Sequence, residues 1–214
     1  MKLVINLPER NDRRKEIQKE LSRIGWEATF LPAVKPADAG TFPSIGARGC
    51  FLSHLEALER AQRLDAREVF LLEDDLNFDL NFAARWPSIK SALDQREWSM
   101  FYPAPVEPTP DGLVEARPTT PIPCTHFVLV NGSAISTLVD RLHEILANRP
   151  MHVDGAYNTI RAELSSIRTF CHWPPLGYQR SSRSDITPGR FDRHRFSSQL
   201  LTLARRVKNR LRGP

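Results

Sequence analysis

Glu68-Val69-Phe70-Leu71-Leu72-Glu73-Asp74-Asp75 is a short apolar run that ends in three consecutive carboxylates. Buried parallel strands read as continuous hydrophobic runs, and open α/β sheets hold their chemistry just past the strands' carboxyl ends. Three like charges crowded there repel one another unless a cation sits among them. A hard divalent ion such as Mg²⁺ or Mn²⁺ takes one or two carboxylates and completes its shell with water and phosphate oxygens. The stretch therefore predicts a metal–diphosphate site at the top of a sheet. The plainer alternative is an acidic, solvated turn.

The segments around it repeat a strand–helix rhythm. Lys2 to Asn6 is expected as the first strand, followed by a helix capped by Asn11 or Asp12. Ile17, Leu21 and Ile24 recur at helical spacing, and Gly25 is the expected stop. Trp26 to Val34 is the second expected strand. Ala47 to about Leu64 is a helix with Phe51, Leu52, Leu55, Leu58 and Ala61 on one face. This β-α-β-α-β opening predicts an α/β fold, a mostly parallel sheet flanked by helices. Downstream, Trp98–Tyr102 and Thr125–Val130 are expected strands, and Ala134–Leu146 a helix after an Asn131-Gly132-Ser133 cap. The intervening 103–123 segment carries seven prolines and is expected as a loop. Met151 to Asn158 is read as a short segment, and His172 to Ile186 as irregular.

Charge divides the chain unevenly. Residues 191–214 hold seven Lys or Arg against Asp192, while all 214 residues net +5, so residues 1–190 are close to neutral. Phe196, Leu200, Leu203, Val207 and Leu211 form an apolar stripe beside those arginines. A basic amphipathic C-terminal helix of this kind suits an anionic membrane surface. A helix packed on its own domain is the alternative. The aromatic platforms of single-strand binders are missing from it, so nucleic acid is not expected as a partner. The organisation expected is one domain over 1–190 and the helix over 191–214. No apolar run reaches membrane-spanning length. Met1 to Pro8 reads as a strand rather than a signal peptide, and three scattered cysteines (Cys50, Cys124, Cys171) argue against a disulfide framework. The expected location is cytoplasmic, peripheral on the inner face of the membrane.

Several segments together resemble one family. Ile5-Asn6-Leu7 with Arg10-Asn11-Asp12-Arg13-Arg14 is similar to the opening signature of glycosyltransferase family 25, the lipopolysaccharide-type sugar transferases. Gly46-Ala47-Arg48-Gly49-Cys50-Phe51-Leu52-Ser53-His54 resembles its second motif, although Ala47-Arg48 stands where an acidic residue is common. Leu71-Leu72-Glu73-Asp74-Asp75 is similar to its acidic motif. Phe127–Ser133, Asp154 and Gln179–Ile186 resemble weaker downstream blocks. The resemblance implies a GT-A-like, Rossmann-type fold, a nucleotide-diphosphate-sugar donor, a Mn²⁺ or Mg²⁺ ion and inversion at the anomeric carbon.

Site roles follow from that combination. Asp75 is the expected metal ligand, with Glu73 as second carboxylate and His172 completing the shell. Asn6, Leu7, Arg10, Arg14, His54, Asp74, Gln179 and Ser184 are expected around the donor. Arg suits phosphate through paired, charge-assisted bonds, and of the adjacent Arg13 and Arg14 only one should face the site. His54 on a helix has a purely structural alternative. Asp154 is the expected base for the acceptor hydroxyl, and Asp185 the fallback. The activity expected is transfer of galactose or glucose from a UDP-sugar to a lipid-linked or lipid A-linked glycan. The rivals are a metal-dependent phosphoryl or nucleotidyl transferase, and an inactive protein of this fold acting as a membrane-bound assembly partner.

Overall fold

The computed structural model describes residues 1–180, so the expected helix over 191–214 lies outside the described residues, as do Ser184 and Asp185. Elements run β1 (Lys2–Asn6), α1 (Asn11–Arg23), β2 (Thr29–Pro32), α2 (Ile45–Arg63), β3 (Glu68–Glu73), β4 (Leu76–Phe78) and α3 (Phe82–Asp94). They continue with β5 (Met100–Tyr102), β6 (Gly112–Glu115), β7 (Phe127–Asn131), α4 (Gly132–Asn148), α5 (Val153–Glu163), β8 (Thr169–Trp173) and β9 (Gly177–Gln179).

Seven strands form one sheet in the order β2-β1-β3-β7-β5-β8-β6, while β4 and β9 make a separate antiparallel ribbon. β1 pairs parallel with β2 and β3, and β5 pairs parallel with β8. β7 runs antiparallel between β3 and β5, and β6 antiparallel at the edge. The sheet is thus the mostly parallel, helix-flanked α/β sheet anticipated, with two reversed strands. β3 is buried on both faces: Val69 and Leu71 join a core with α2, α4 and α5, and Phe70 and Leu72 a core with α1 and α3. A strand covered on both sides has no solvent face to mark with polar residues, hence its unbroken apolar run. Among the described residues, no helix is long and apolar enough to cross a membrane.

Several local expectations are corrected. Arg10, not Asn11 or Asp12, occupies the cap of α1, and its N–H is satisfied by the carbonyl of Leu7 at 2.8 Å. Asp12 instead turns back to the Arg10 guanidinium. α3 had no counterpart in the sequence reading; it carries Pro87 internally and packs through Phe82, Ile89 and Leu93. The proline-rich segment contains β6, the short segment after Met151 is the start of α5, and the region after His172 holds β9. Gly25, with φ of 69°, ends α1 as anticipated.

Candidate active site

β3 delivers its carboxylates to a point where four other segments converge. The N–H of Glu73 bonds the carbonyl of His126 at 2.9 Å, so the segment leading into β7 lies against the end of β3. Beyond the Asp74-Asp75 turn, the β4–β9 ribbon brings Gln179 and Arg180 over the acid cluster. Arg180 braces the turn: its N–H reaches the Asp75 carbonyl at 2.6 Å and its Nη2 the Asp74 carbonyl at 2.9 Å. Its remaining nitrogens meet Asn77 Oδ1 at 2.6 Å and Glu16 Oε2 at 2.9 Å.

The three carboxylates part in different directions. Asp74 is tied down, accepting from Asn6 Nδ2 at 2.7 Å and Arg13 Nη1 at 2.9 Å. Glu73 Oε1 accepts from the Thr125 hydroxyl at 3.2 Å and lies 3.6 Å from His54 Nε2. Asp75 Oδ2 receives Gln179 Nε2 at 3.3 Å and sits 3.4 Å from Arg13 Nη1. Asp75 Oδ1 is buried with no hydrogen-bond partner.

Electrostatics follow that division. Burial and the neighbouring Glu73 charge push Asp75 up to about 7, against the pull of Arg13. Burial raises Asp74 as well, outweighing Arg13 and Asn6. Burial works in the same sense on Glu73, but His54, His126 and the Thr125 hydroxyl prevail and hold it below the usual carboxylate range. Burial drives His126 down to about 4 and Cys124 up to about 12. Cys124 Sγ lies 2.9 Å from His126 Nδ1, and His126 Nε2 is buried without a partner.

The second motif resolves into two helical stripes. Ser53 Oγ donates to the Gly49 carbonyl at 2.6 Å and accepts from Val34 N–H at 2.8 Å. A Cβ on Gly49 would stand 2.7 Å from the Val34 carbonyl oxygen, so only glycine permits this approach. Gly49 and Ser53 thereby seat the helix. One residue further round, Cys50 and His54 face Glu73. His54 is fully buried, with Nδ1 3.3 Å from Tyr157 Oη on α5.

The structure brings together Asn6, Asp74, Asp75, Glu73, His54 and Gln179 from the sequence expectation, and separates others. Arg13 is the arginine that reaches the acid turn; Arg14 stacks on Phe30, 3.9 Å from the ring centroid. The sequence did carry that distinction, because Arg13 continues the buried stripe of Ile17 and Leu21 and Arg14 does not. Arg10 pairs with Asp12, and Leu7 contributes its carbonyl to the Arg10 N–H. His172 is not brought to the carboxylates: its Nδ1 lies 3.0 Å from the Pro174 carbonyl and its charged neighbour is Arg85. By strand alternation it shares the face of Phe170, which packs with α1 and α3. Asp154 lies in the first turn of α5, accepting from Gly155 N–H at 2.8 Å, with Oδ2 3.5 Å from Cys124 N. Its charge is felt by Cys50 and Cys124, which places it at the edge of the same cluster. Thr125, His126, Tyr157 and Arg180 were missed. A shallow cavity of about 270 Å³ lined by Trp26, Trp86 and Lys90 lies at the opposite end, where β1 and β3 begin.

The chain is similar to curated proteins named glycosyltransferase 25 family member. Identity is 33% over 121 residues with the Anopheles gambiae protein, covering 46% of this chain and 20% of that protein. With the Drosophila pseudoobscura pseudoobscura protein it is 32% over 102 residues, covering 38% and 16%. The chain thus spans about a fifth or less of the length of the curated relatives it matches. No protein-family model matches the chain. Among solved structures, A197 from STIV aligns with a TM-score of 0.47 at 9% identity, covering 85% of each chain. A glycosyltransferase involved in glycosylation of the PBCV-1 major capsid aligns with a TM-score of 0.41 at 12% identity, covering 81% of this chain and 91% of that one.

Proposed function

We propose that this chain is a glycosyltransferase that moves a hexose, galactose or glucose, from a UDP-sugar to a cell-surface glycan acceptor, with inversion. The observation that carries the reading is Asp75. It is the one member of the acid motif whose second oxygen is buried and unpartnered, just past the carboxyl end of β3, while Asp74 is paired with Arg13 and hydrogen-bonded by Asn6. A carboxyl pushed up to about 7 in such a place is a group waiting for a cation, and an oxygen donor beside phosphates selects Mg²⁺ or Mn²⁺. That ion, held by Asp75, would supply Lewis-acid neutralisation of the leaving diphosphate. Similarity to glycosyltransferase 25 family members supplies the sugar in this reading.

The chain's own groups then have separable tasks. Gln179 fixes the Asp75 carboxylate through Oδ2, leaving the buried, unpartnered Oδ1 for the ion. Asn6 ends β1 beside the acid turn, and in this reading Asn6 and the following Leu7 form the floor against which the nucleotide lies. Asp154, across the Cys124 backbone from the acid cluster, takes the acceptor hydroxyl's proton as that oxygen attacks the anomeric carbon. The acceptor in this reading is a glycan on a lipid carrier or lipid A, with the basic segment 191–214 at the anionic membrane surface.

Calorimetric titration of UDP, with and without Mn²⁺, into wild type and Asp75→Ala tests the assignment. Metal-dependent binding lost in the variant is expected, together with slow release of UDP and free hexose from a UDP-hexose. Release of UMP and sugar phosphate instead would replace the reading with a phosphoryl or nucleotidyl transferase, and absence of binding in both proteins would remove it.

A further inference from the structure

Three groups at the acid motif are given no task in the transfer proposed above: Cys50, His54 and the Glu73 carboxylate. Cys50 and His54 stand one helical turn apart on α2, the spacing that puts two side chains on one face. The Gly49–Ser53–Val34 contact fixes the rotation of that helix, so both are aimed at the end of β3. The three donor atoms all lie within 4.8 Å of one another, and His54 Nε2 is 3.6 Å from Glu73 Oε1. Donors around a tetrahedral ion with bonds of about 2.0–2.3 Å are about 3.3–3.7 Å apart, so a small inward movement of the sulfur closes the set.

The imidazole supplies an independent observation. His54 is fully buried, and its Nε2 has no hydrogen-bond partner. A proton on Nε2 makes His54 the group that holds Glu73 low; in the tautomer with Nδ1–H towards Tyr157 Oη, Nε2 instead presents a lone pair to the carboxylate oxygen. Two acceptors facing each other in a buried site call for a cation between them. A proton on Nε2 answers that need for the pair alone, but leaves unexplained why a thiol completes the triangle. Metal-bound histidines characteristically donate their other ring nitrogen to a fixed partner, the place Tyr157 occupies. A thiol becomes a ligand only as its proton leaves, so binding at Cys50 requires a metal that competes for sulfur.

We propose that Cys50, His54 and Glu73 form a second metal site, for a borderline-soft divalent cation of the zinc type, separate from the hard-cation position at Asp75. Thiolate, imidazole and carboxylate together favour zinc over magnesium or manganese. Three protein ligands leave one position for water, and Cys50 is half-buried, which gives an ion a way in. On binding, the Cys50 thiol proton passes to solvent and one ion replaces it, bonded to Sγ, Nε2 and one Glu73 oxygen. The ion joins α2 to β3 directly and to α5 through Tyr157.

The test uses the full chain stripped by chelator and titrated with Co²⁺ as a spectroscopic stand-in for zinc. One equivalent should produce a near-ultraviolet thiolate-to-metal absorption and intense visible bands of a tetrahedral site. Stoichiometric Zn²⁺ should bleach both, and excess Mg²⁺ neither. Cys124→Ser and Cys171→Ser should keep the thiolate band, Cys50→Ser should lose it, and His54→Gln should weaken Co²⁺ binding about tenfold or more. In unsubstituted protein, Zn²⁺ should protect Cys50 from alkylation, read by peptide mass spectrometry. A missing thiolate band, a band that survives Cys50→Ser, displacement by Mg²⁺, or unchanged Cys50 alkylation overturns the site.

Discussion

Asn6 Nδ2 donates to Asp74 Oδ2 at 2.7 Å across 68 residues of sequence, fastening the end of β1 to the turn that follows β3. Arg13 holds the other oxygen at 2.9 Å, with the Arg13 and Asp74 side chains only 11% and 8% exposed. Removing Asp74 leaves the Asn6 amide without its carboxylate acceptor and Arg13 with the longer contact to Asp75 at 3.4 Å. Asp74→Ala is therefore expected to cost about 2 kcal/mol in urea unfolding, and Asn6→Ala about 1 kcal/mol. A change for Asp74→Ala within about 0.5 kcal/mol, the scatter of ordinary surface substitutions, would refute the brace.

Asp75 should make the metal-free protein less stable as pH rises. Its folded-state value near 7 lies above the ordinary 3.8, so the native state binds that proton more tightly than the unfolded chain. The stabilisation is full below 3.8 and lost as pH climbs through 7, an upper bound of about 4 kcal/mol. Asp75→Asn should remove the decline, leaving a variant more stable than wild type at pH 8 yet without metal-dependent UDP binding. Superimposable thermal-denaturation profiles for the two proteins between pH 4 and 8 would contradict this.

His126 should act in the opposite sense. Its folded-state value near 4 lies below the ordinary 6.5, so the native state resists a proton that the unfolded chain accepts. That contribution is full above 6.5 and lost as pH falls towards 4, an upper bound of about 3 kcal/mol. In wild type the two slopes oppose each other over this range. His126→Asn is expected to unmask the Asp75 slope, with stability falling as pH rises from 4 to 7; a flat denaturation profile in that variant speaks against the assignment.

Gly49→Ala sets two effects against each other. Alanine favours a helix interior over glycine by about 1 kcal/mol. The new Cβ, however, would stand 2.7 Å from a backbone oxygen of Val34 and 3.2 Å from Pro36 Cδ, neither at the end of a flexible side chain. Overpacking of this kind costs about 1–3 kcal/mol, and the contact with Val34 is also what seats Ser53. Net destabilisation is expected in chemical denaturation, and an alanine variant as stable as wild type would show that the helix can shift freely.

The parts of this architecture readable from sequence are those whose environment is uniform along a segment. β3 is apolar throughout because both its faces are covered, and α1 shows Ile17 and Leu21 one turn apart before a left-handed Gly25. α3 was obscured by an internal proline, and the reversal of β7 is not written in its residues at all. Strand direction depends on where connections leave and return, and a five-residue apolar run reads alike both ways. The same limit governs the site. Asp75 was legible as part of the acid cluster because it closes the acidic end of an apolar run, whereas Arg180 and Thr125 act on residues 105 and 52 positions away. His172 misled because a histidine in a polar stretch reads as available, while strand pairing and the Pro174 carbonyl decide where its ring points.

The backbone bond from Arg180 to Asp75 has a consequence for how the protein comes into being. Until the ribosome has delivered residues 177–180, β4 has no partner and the acid turn lacks its brace. A nascent chain halted before that point already holds the partners of Glu73 and Asp74, but it lacks Gln179 and Arg180, which fix the side chain and the carbonyl of Asp75. On the proposed reading, the metal position at Asp75 is completed by the arrival of that ribbon strand, so metal-dependent UDP binding by stalled chains of increasing length is expected only once β9 has cleared the exit tunnel.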